Sequence, residues 1–318
     1  MTATAAAPLS ETNHGKEHND TSVIFSCDEK FMPLAKGLVL SLREATDFAS
    51  IFCIDIGLSE TSRAWLRQQG VVPVRFSWEQ LFHTHKAWRG DQYRLAQFVR
   101  PLLPRVIEGF DYYVWLDADT WVQDSSAIRM LRSAVAENES VDIALVPQVD
   151  FSYRVFRDQW GGPVEWAGWW YKQLYGETIA REFCNKAILN SGVFCMRGGS
   201  PIWRAWENEI RAALKKKVSD RLVLHLAEQT CLNYVSYSYD KFIIIDPIYN
   251  YTLHDGCARR AEDGRVVIAY PPYRPIAIVH LTSSSKFMQK YLDDGLLFDF
   301  GTYLTDEERR VLLALEHY

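Results

Sequence analysis

Short apolar runs alternate with longer stretches of helical periodicity through the first half of the chain. TSVIFSC (21–27), IFCIDIG (51–57) and VVPVRFSW (71–78) read as strands, rich in Val, Ile and Phe. Between the first two, Leu34, Leu38 and Leu42 share a face with Ala35 and Val39, which predicts a helix over 32–45. SETSRAWLRQQG predicts a second helix, with Ser59 as N-cap and Gly70 as its stop. Strand, helix, strand, helix, strand with short connections is the order of a parallel α/β sheet.

The pattern continues less regularly. Residues 91–108 are helical, broken by Pro101 and Pro104, and lead into an apolar strand at 112–116. A helix near 125–137 and a strand at 142–149 follow, then an irregular aromatic tract at 150–186. ILNSGVFCMR (188–197) reads as a strand interrupted by Ser191 and Gly192. WRAWENEIRAALKKK and LHLAEQTCLNYVSYSY (224–239) read as helices, KFIIIDPIYN and AIVHL (277–281) as strands. The last stretch, TDEERRVLLALEHY, carries a capping box in Thr305 and Glu308. Residues 1 to 20 are polar and lack periodicity, as in a disordered lead-in. The rest, 21–318, reads as a single domain.

Bulk properties narrow the chemistry. A net charge of −5 argues against nucleic acid as the main partner, because phosphate binding needs concentrated Lys and Arg. Six cysteines (Cys27, Cys53, Cys184, Cys195, Cys231, Cys257) form no CxxC pair and no disulfide-like framework, which favours a reducing compartment. The N-terminus is not a secretion signal and no stretch is apolar enough to span a membrane, so the expectation is a cytoplasmic protein, peripheral to a membrane at most. Tryptophans cluster at Trp160, Trp166, Trp169 and Trp170, with Trp203 and Trp206 later. They are either core or an aromatic surface on which a sugar stacks.

The chemistry begins at YYVWLDADTWVQD (112–124), where a buried-looking strand ends in two aspartates. A buried carboxylate is costly unless a positive group meets it. On an extended chain Asp117 and Asp119 project together, with Ala118 opposite. At the carboxyl end of a parallel strand, that pair is a ready site for a hard divalent cation such as Mn²⁺ or Mg²⁺, shared with a diphosphate. The same spacing also arises where an aspartate pair caps a turn, and the dipeptide alone does not separate the two.

The wider context does. The segment resembles the DxD motif of nucleotide-sugar glycosyltransferases of the GT-A fold, in particular the retaining galactosyl- and glucosyltransferases of glycosyltransferase family 8. SVIFSCDEKFMPLAKGLVLSL resembles that family's first strand and helix, which implies uracil contacts for Asp28 and Phe31. Arg100 stands where the family has a donor-holding arginine, with Arg94 as a second candidate. LNSGVFCM resembles the strand facing the donor sugar, giving Asn190, Ser191 and Gly192. AEQTCLNYV resembles the DQxxLN helix, giving Glu228, Gln229 and Asn233. IVHLTSSSK resembles the HxxGxxK segment, giving His280 as third metal ligand and Lys286 as a diphosphate contact. Two positions depart from the pattern: Glu228 replaces Asp, lengthening the reach by one methylene, and Ser283 replaces Gly.

The resemblance implies a Rossmann-like, mostly parallel nucleotide-binding sheet flanked by helices, with residues 21–124 as the nucleotide half and 125–318 as the acceptor and sugar half. It implies a metal-dependent hexosyltransferase acting on a UDP-sugar, UDP-glucose or UDP-galactose, with retention at C1. Asn190, Glu228 and Gln229 are then the residues at the reacting sugar. The acceptor is left open among a glycan, a lipid-linked sugar, a protein and a small molecule, and so is a homo-oligomer. Phe151 to Trp170 is the expected acceptor region. Two other readings are a sugar-1-phosphate nucleotidyltransferase, disfavoured because SCDEK (26–30) is no Gly-rich loop, and a catalytically silent glycan-binding protein.

Overall fold

The most apolar of these strands is also the most enclosed. β1 (Thr21–Cys27) is buried along its whole length. It pairs in parallel on both sides, with β2 (Ile51–Asp55) and with β4 (Tyr112–Leu116). A strand bonded on both edges and covered on both faces has no polar side, hence the unbroken apolar run. The structure, a computed structural model, describes residues 20–45, 50–81, 92–153, 162–215 and 221–282, with residue 307.

The central sheet has the order β3-β2-β1-β4-β7-β6-β8, where β3 is Val71–Arg75, β6 Ile143–Pro147, β7 Leu189–Arg197 and β8 Phe242–Ile244. Its ladders are parallel except the two that β7 makes with β4 and β6, which are antiparallel. Helices cover both faces, and alternate residues of one strand go to opposite cores. Val23, Phe25, Val114 and Leu116 face α1 (Met32–Ala45) and α5 (Ala127–Ala136). Ile24, Tyr113 and Trp115 face α3 (Gln92–Val99), α8 (Ile202–Lys215) and α9 (Arg221–Tyr239). The expected mostly parallel α/β sheet is present.

The chain leaves β4 for a second, smaller sheet. β5 (Thr120–Val122) pairs antiparallel with β12 (Ile278–His280), and β12 pairs in parallel with β9 (Tyr251–Thr252). Ser41 of α1 receives the Val122 N–H at 3.0 Å, which fixes β5 against the first helix. β10 (Ala258–Arg260) and β11 (Val266–Ile268) form a separate hairpin. The stretch between β4 and β5, residues 117–119, is therefore the corner where two sheets meet.

Several expected elements take a different form. α2 (Glu60–Gln68) has the expected cap, Ser59 accepting the Ser62 N–H, and ends at Gly70 with φ +68°. The helical run at 91–108 survives its prolines as α3, a 3₁₀ turn (Arg100–Leu102) and α4 (Leu103–Val106). Pro101 and Pro104 sit in first turns, where a missing N–H leaves no intrahelical bond unmade. The tract expected to be irregular at 150–186 is largely helical where it is described: it contains α6 (Gly162–Tyr175) and α7 (Glu177–Phe183). Ala167, Trp170, Tyr171 and Leu174 form its buried i, i+3, i+4, i+7 stripe. Strand β7 is not interrupted at Ser191; instead its pairing with β6 jumps from Leu145↔Phe194 to Val146↔Asn190, so residues 191–193 bulge on that side. The run KFIIIDPIYN is strand only to Ile244, then a 3₁₀ turn (Pro247–Asn250) with Asp246 as its cap.

Trp170, Trp203 and Trp206 are buried and Trp169 packs against the core, so these rings are interior rather than a stacking surface. Trp160 and the Trp166 side chain lie outside the described residues, as do the lead-in to residue 19 and the terminal stretch apart from residue 307. All six cysteines are free, and Cys27, Cys53, Cys195 and Cys231 are buried. Among the described residues no helix is long and apolar enough to cross a membrane.

Candidate functional site

The two-sheet corner collects the polar residues singled out in the sequence. Asp117 follows β4 directly, its N–H bonded to the Gly192 carbonyl at 2.7 Å. The chain then turns: the Thr120 N–H and Oγ1 both reach the Asp117 carbonyl, at 3.0 and 2.8 Å. The aspartates are thus on a tight turn, not an extended strand, and it is the Asp117 carbonyl rather than a carboxylate that closes it. Both carboxylates stay available, while Ala118 turns into the apolar core under α1. The Asp119 carbonyl accepts the Leu281 N–H at 2.9 Å, which ties the turn to β12 and brings His280 beside it.

Three groups converge there. His280 Nε2 lies 3.4 Å from Asp119 Oδ1 and 3.8 Å from Asp117 Oδ2. One ligand atom from each of Asp117, Asp119 and His280 falls within 4.8 Å of the others. Oxygen, oxygen and imidazole nitrogen suit a borderline-hard divalent ion. Gly192 makes the approach possible. A Cβ there would stand 2.6 Å from His280 Cε1, 2.7 Å from Asp117 Oδ2 and 2.9 Å from Asn190 Oδ1. The residues present fit a divalent metal.

A protein cation is also present, where the sequence had suggested only a metal. Arg100 is buried and hydrogen-bonds Asp117 Oδ1, Ser191 Oγ at 2.8 Å and Glu228 Oε2 at 2.7 Å. It also stacks over Trp115, 5.1 Å from the ring centre, and the Trp115 Nε1–H donates to the same Asp117 Oδ1 at 2.8 Å. Asp117 is therefore divided: Oδ1 is held by Arg100 and Trp115, while Oδ2 faces His280. Burial works against the Arg100 charge, but Asp117 and Glu228 outweigh it and hold the guanidinium firmly protonated. One cation serves two carboxylates. Glu228, the more deeply buried, pays for that: burial pushes it up to about 7 despite Arg100 and Ser191, and Asp117 adds to the rise.

The remaining candidates divide between site and scaffold. Glu228 and Gln229 are buried on α9, not a solvated helix face. Gln229 Oε1 accepts the Ser191 N–H at 3.2 Å, and Glu228 Oε2 accepts Ser191 Oγ–H at 3.0 Å. Glu228 Oε1 is buried with no hydrogen-bond partner among the described residues. Asn233 is scaffold: its amide exchanges two 2.7 Å bonds with the backbone of Leu189, pinning the start of β7 to α9. Asp28, half-buried after β1, accepts the Phe31 N–H at 3.0 Å, and burial raises its carboxyl against that bond. Arg94 is buried on α3 beside Tyr93. Lys286 and Ser283 lie outside the described residues.

The sequence reading missed two residues. Trp115 reads in the sequence only as strand core, yet its indole N–H donates to Asp117 Oδ1. Asn250, buried at the end of the 3₁₀ turn, links Asn190 to His280. Its signal, a polar residue at the end of an apolar run, is hidden because the whole run has the pattern of a strand.

No protein-family model matches the chain, and no curated protein matches it. Solved structures do. The galactosyltransferase LgtC, in complex with donor and acceptor sugar analogs, superposes with a TM-score of 0.57 at 15% identity, over 91% of this chain and 99% of that one. The bifunctional glycosyltransferase WbbM gives 0.61 at 14% identity, over 96% of this chain and 52% of that one. An active-site mutant of LgtC gives 0.54 at 14% identity, over 92% of this chain and all of that one. This is the GT-A fold. Within the GT-A frame the DxD turn occupies the corner after β4, and Asp28, Asp55 and Asp117 stand at or just past the carboxyl ends of three adjacent parallel strands, β1, β2 and β4. That end of a parallel sheet is where ligands bind.

Proposed function

We propose that the chain is a metal-dependent glycosyltransferase that moves a hexose from a UDP-sugar to an acceptor hydroxyl. The observation that carries the reading is the convergence of Asp117 Oδ2, Asp119 and His280 at the end of β4. The similarity to galactosyltransferase LgtC, solved with donor and acceptor sugar analogs, supports a nucleotide-sugar donor and a sugar acceptor. Asp117, Asp119 and His280 would hold Mn²⁺ or Mg²⁺, which when bound neutralises the charge that builds on a departing diphosphate.

The chain's own residues supply the rest. Asp28 and Phe31 take the uracil end, and residues 21–124 form the nucleotide half. Arg100 keeps Asp117 turned so that only Oδ2 faces the ligand site, and it braces Ser191 and Glu228 beneath the sugar. Glu228 Oε1, buried and without a hydrogen-bond partner among the described residues, offers a hydroxyl of the donor sugar a partner. Lys286 is assigned to the diphosphate. Gln229 is a poor nucleophile as an amide, and its oxygen already accepts the Ser191 N–H. A front-face route to retention, with leaving group and acceptor on one side, needs no nucleophile and fits that bond.

Calorimetric titration of UDP, with and without Mn²⁺, tests this on the wild-type protein and on Asp119→Ala. Mn²⁺ is expected to tighten UDP binding at least tenfold, and the variant to lose that gain. UDP that binds under no metal condition would end the reading and return the aspartates to the role of a turn. Sugar release from UDP-glucose and UDP-galactose then separates a transferase from a silent binding protein.

A further inference from the structure

Asn250, His280 and Asn190 form a hydrogen-bonded chain whose directions can be fixed from one unambiguous donor. The Gly192 backbone N–H meets the Asn190 side chain at 2.7 Å. A backbone N–H can only donate, so the Asn190 atom facing it is the carbonyl oxygen. That same oxygen lies 3.0 Å from the Asn250 side chain, which must therefore present its NH₂. The other Asn250 atom is then its oxygen, 2.7 Å from His280 Nδ1. An amide oxygen can only accept, so Nδ1 carries the hydrogen. In the neutral ring the lone pair is on Nε2, the nitrogen turned toward Asp117 and Asp119.

The placement of Asn250 serves this arrangement. Asp246 caps the 3₁₀ turn by accepting the Ile248 N–H at 3.0 Å. The turn delivers Asn250 immediately before β9, whose Tyr251 and Thr252 stand beside Val279 and His280 of β12. Asn250 is buried to 1% exposure, so water does not compete for either amide end. One side chain thus spans from the strand that carries Asn190 to the strand that carries His280.

We propose that Asn250 is a positioning residue for the metal centre: it locks His280 in the Nδ1–H tautomer, with Nε2 ready to ligate, and couples that ring to Asn190. The inference rests on the metal-site reading of Asp117, Asp119 and His280. A side chain that orients a metal-binding histidine through its second nitrogen is typically worth about 10–100-fold in metal affinity. Asn250→Ala removes both bonds. Asn250→Asp keeps an acceptor for Nδ1–H but replaces the NH₂ facing Asn190 Oδ1 with an oxygen, so it separates the two links.

Two measurements test it on the full-length protein. Long-range ¹H–¹⁵N correlation on the metal-free wild type reads the tautomer once the ring is neutral; Nδ1–H is expected. Mn²⁺ titration followed by the loss of the free-ion electron paramagnetic resonance signal reads affinity without any turnover. Asn250→Ala is expected to bind Mn²⁺ at least tenfold more weakly, and Asn250→Asp to recover most of that loss. An Nε2–H tautomer in the wild type overturns the proposal even if no variant folds. So does a folded Asn250→Ala that binds Mn²⁺ like the wild type. Wild-type protein that takes up no Mn²⁺, yet shows Nδ1–H, overturns the metal-site reading and with it the role in ligation, leaving only the hydrogen-bond chain standing.

Discussion

β2 and β4 flank β1 and both run into an aspartate, but the two carboxylates do opposite things. Asp55, the last residue of β2, is fully committed inside the protein. Its Oδ1 accepts the Gly57 and Leu58 N–H groups at 3.0 and 2.7 Å, and its Oδ2 accepts the Arg63 Nε–H at 2.6 Å. Asp117, just past β4, has donors on Oδ1 alone, from Arg100 and Trp115, and its Oδ2 accepts no hydrogen bond among the described residues. That oxygen points instead at His280 Nε2. A carboxylate with every oxygen bonded stabilises the fold. One whose second oxygen faces an imidazole nitrogen has the donor set that suits a divalent ion. The neighbourhood, not the residue type or the strand end, separates the two aspartates.

Exchanging the two roles by mutation gives the largest contrast. Asp117→Asn is expected to lower sugar transfer about 10²–10³-fold and to abolish the Mn²⁺ gain in UDP affinity, with little loss in stability because the amide oxygen still accepts from Arg100 and Trp115. Asp55→Asn is expected to leave Mn²⁺-dependent UDP binding within a few-fold of wild type. It should cost roughly 2 kcal/mol of stability in denaturant unfolding, since it breaks a mostly buried ion pair. If Asp117→Asn destabilises as Asp55→Asn does and UDP binding is untouched, the distinction between the two aspartates collapses.

A smaller perturbation probes the same contrast through backbone. Gly192 and Gly198 lie on and just after β7, and both lack room for a Cβ. At Gly198 the first obstacle would be the Phe110 carbonyl at 2.5 Å, which is scaffold. At Gly192 the obstacles are His280, Asp117 and Asn190 side chains. Gly192→Ala is therefore expected to weaken Mn²⁺ binding at least tenfold with a modest stability loss, and Gly198→Ala to do the reverse. Equal Mn²⁺ affinities in the two variants would show that Gly192 does not shape the proposed metal site.

The local parts of this site were legible before the fold was known, and the long-range parts were not. A buried-looking strand ending in Asp117 and Asp119 announces an electrostatic problem that a sequence states on its own. The buried helix face at Leu34, Leu38 and Leu42 is equally local. The cation that meets Asp117 is nearby, since Arg100 lies 17 residues before it, but the rest of the network is remote: Arg100 meets Glu228 across 128 residues, and Asn250 meets Asn190 across 60. No periodicity encodes those pairings, which depend on β7 inserting antiparallel between β4 and β6. The aspartates' shared orientation was right for the wrong reason, since a turn held by Thr120 and Leu281 aims them rather than the alternation of a strand. The α6 stripe at Ala167, Trp170, Tyr171 and Leu174 was present in the sequence but masked by aromatics on every side of it.

The effect spread most gradually over pH is also the one that distinguishes the two environments by sign. Burial pushes Asp55 up, but Arg63 and the two backbone N–H groups outweigh it and hold the carboxyl below its ordinary range. Its stabilisation is present above the unfolded-state value and lost as pH falls through the lower folded one. Glu228 is the reverse: burial pushes it up to about 7 against Arg100 and Ser191. Its protonated form is the one the fold favours, so its contribution is fully present below about 4.5 and lost as pH rises through about 7. Glu228→Gln fixes a neutral side chain of the same length. Between pH 5 and 8 the stability of wild type relative to this variant is expected to fall, by on the order of 2 kcal/mol. Asp55→Asn should show its change relative to wild type only in the acid range, with stability lost by the wild type as pH drops. Unfolding curves for wild type and Glu228→Gln that stay parallel from pH 5 to 8 would mean that Arg100 keeps Glu228 ionised in the folded protein throughout, and that one guanidinium does serve both carboxylates equally.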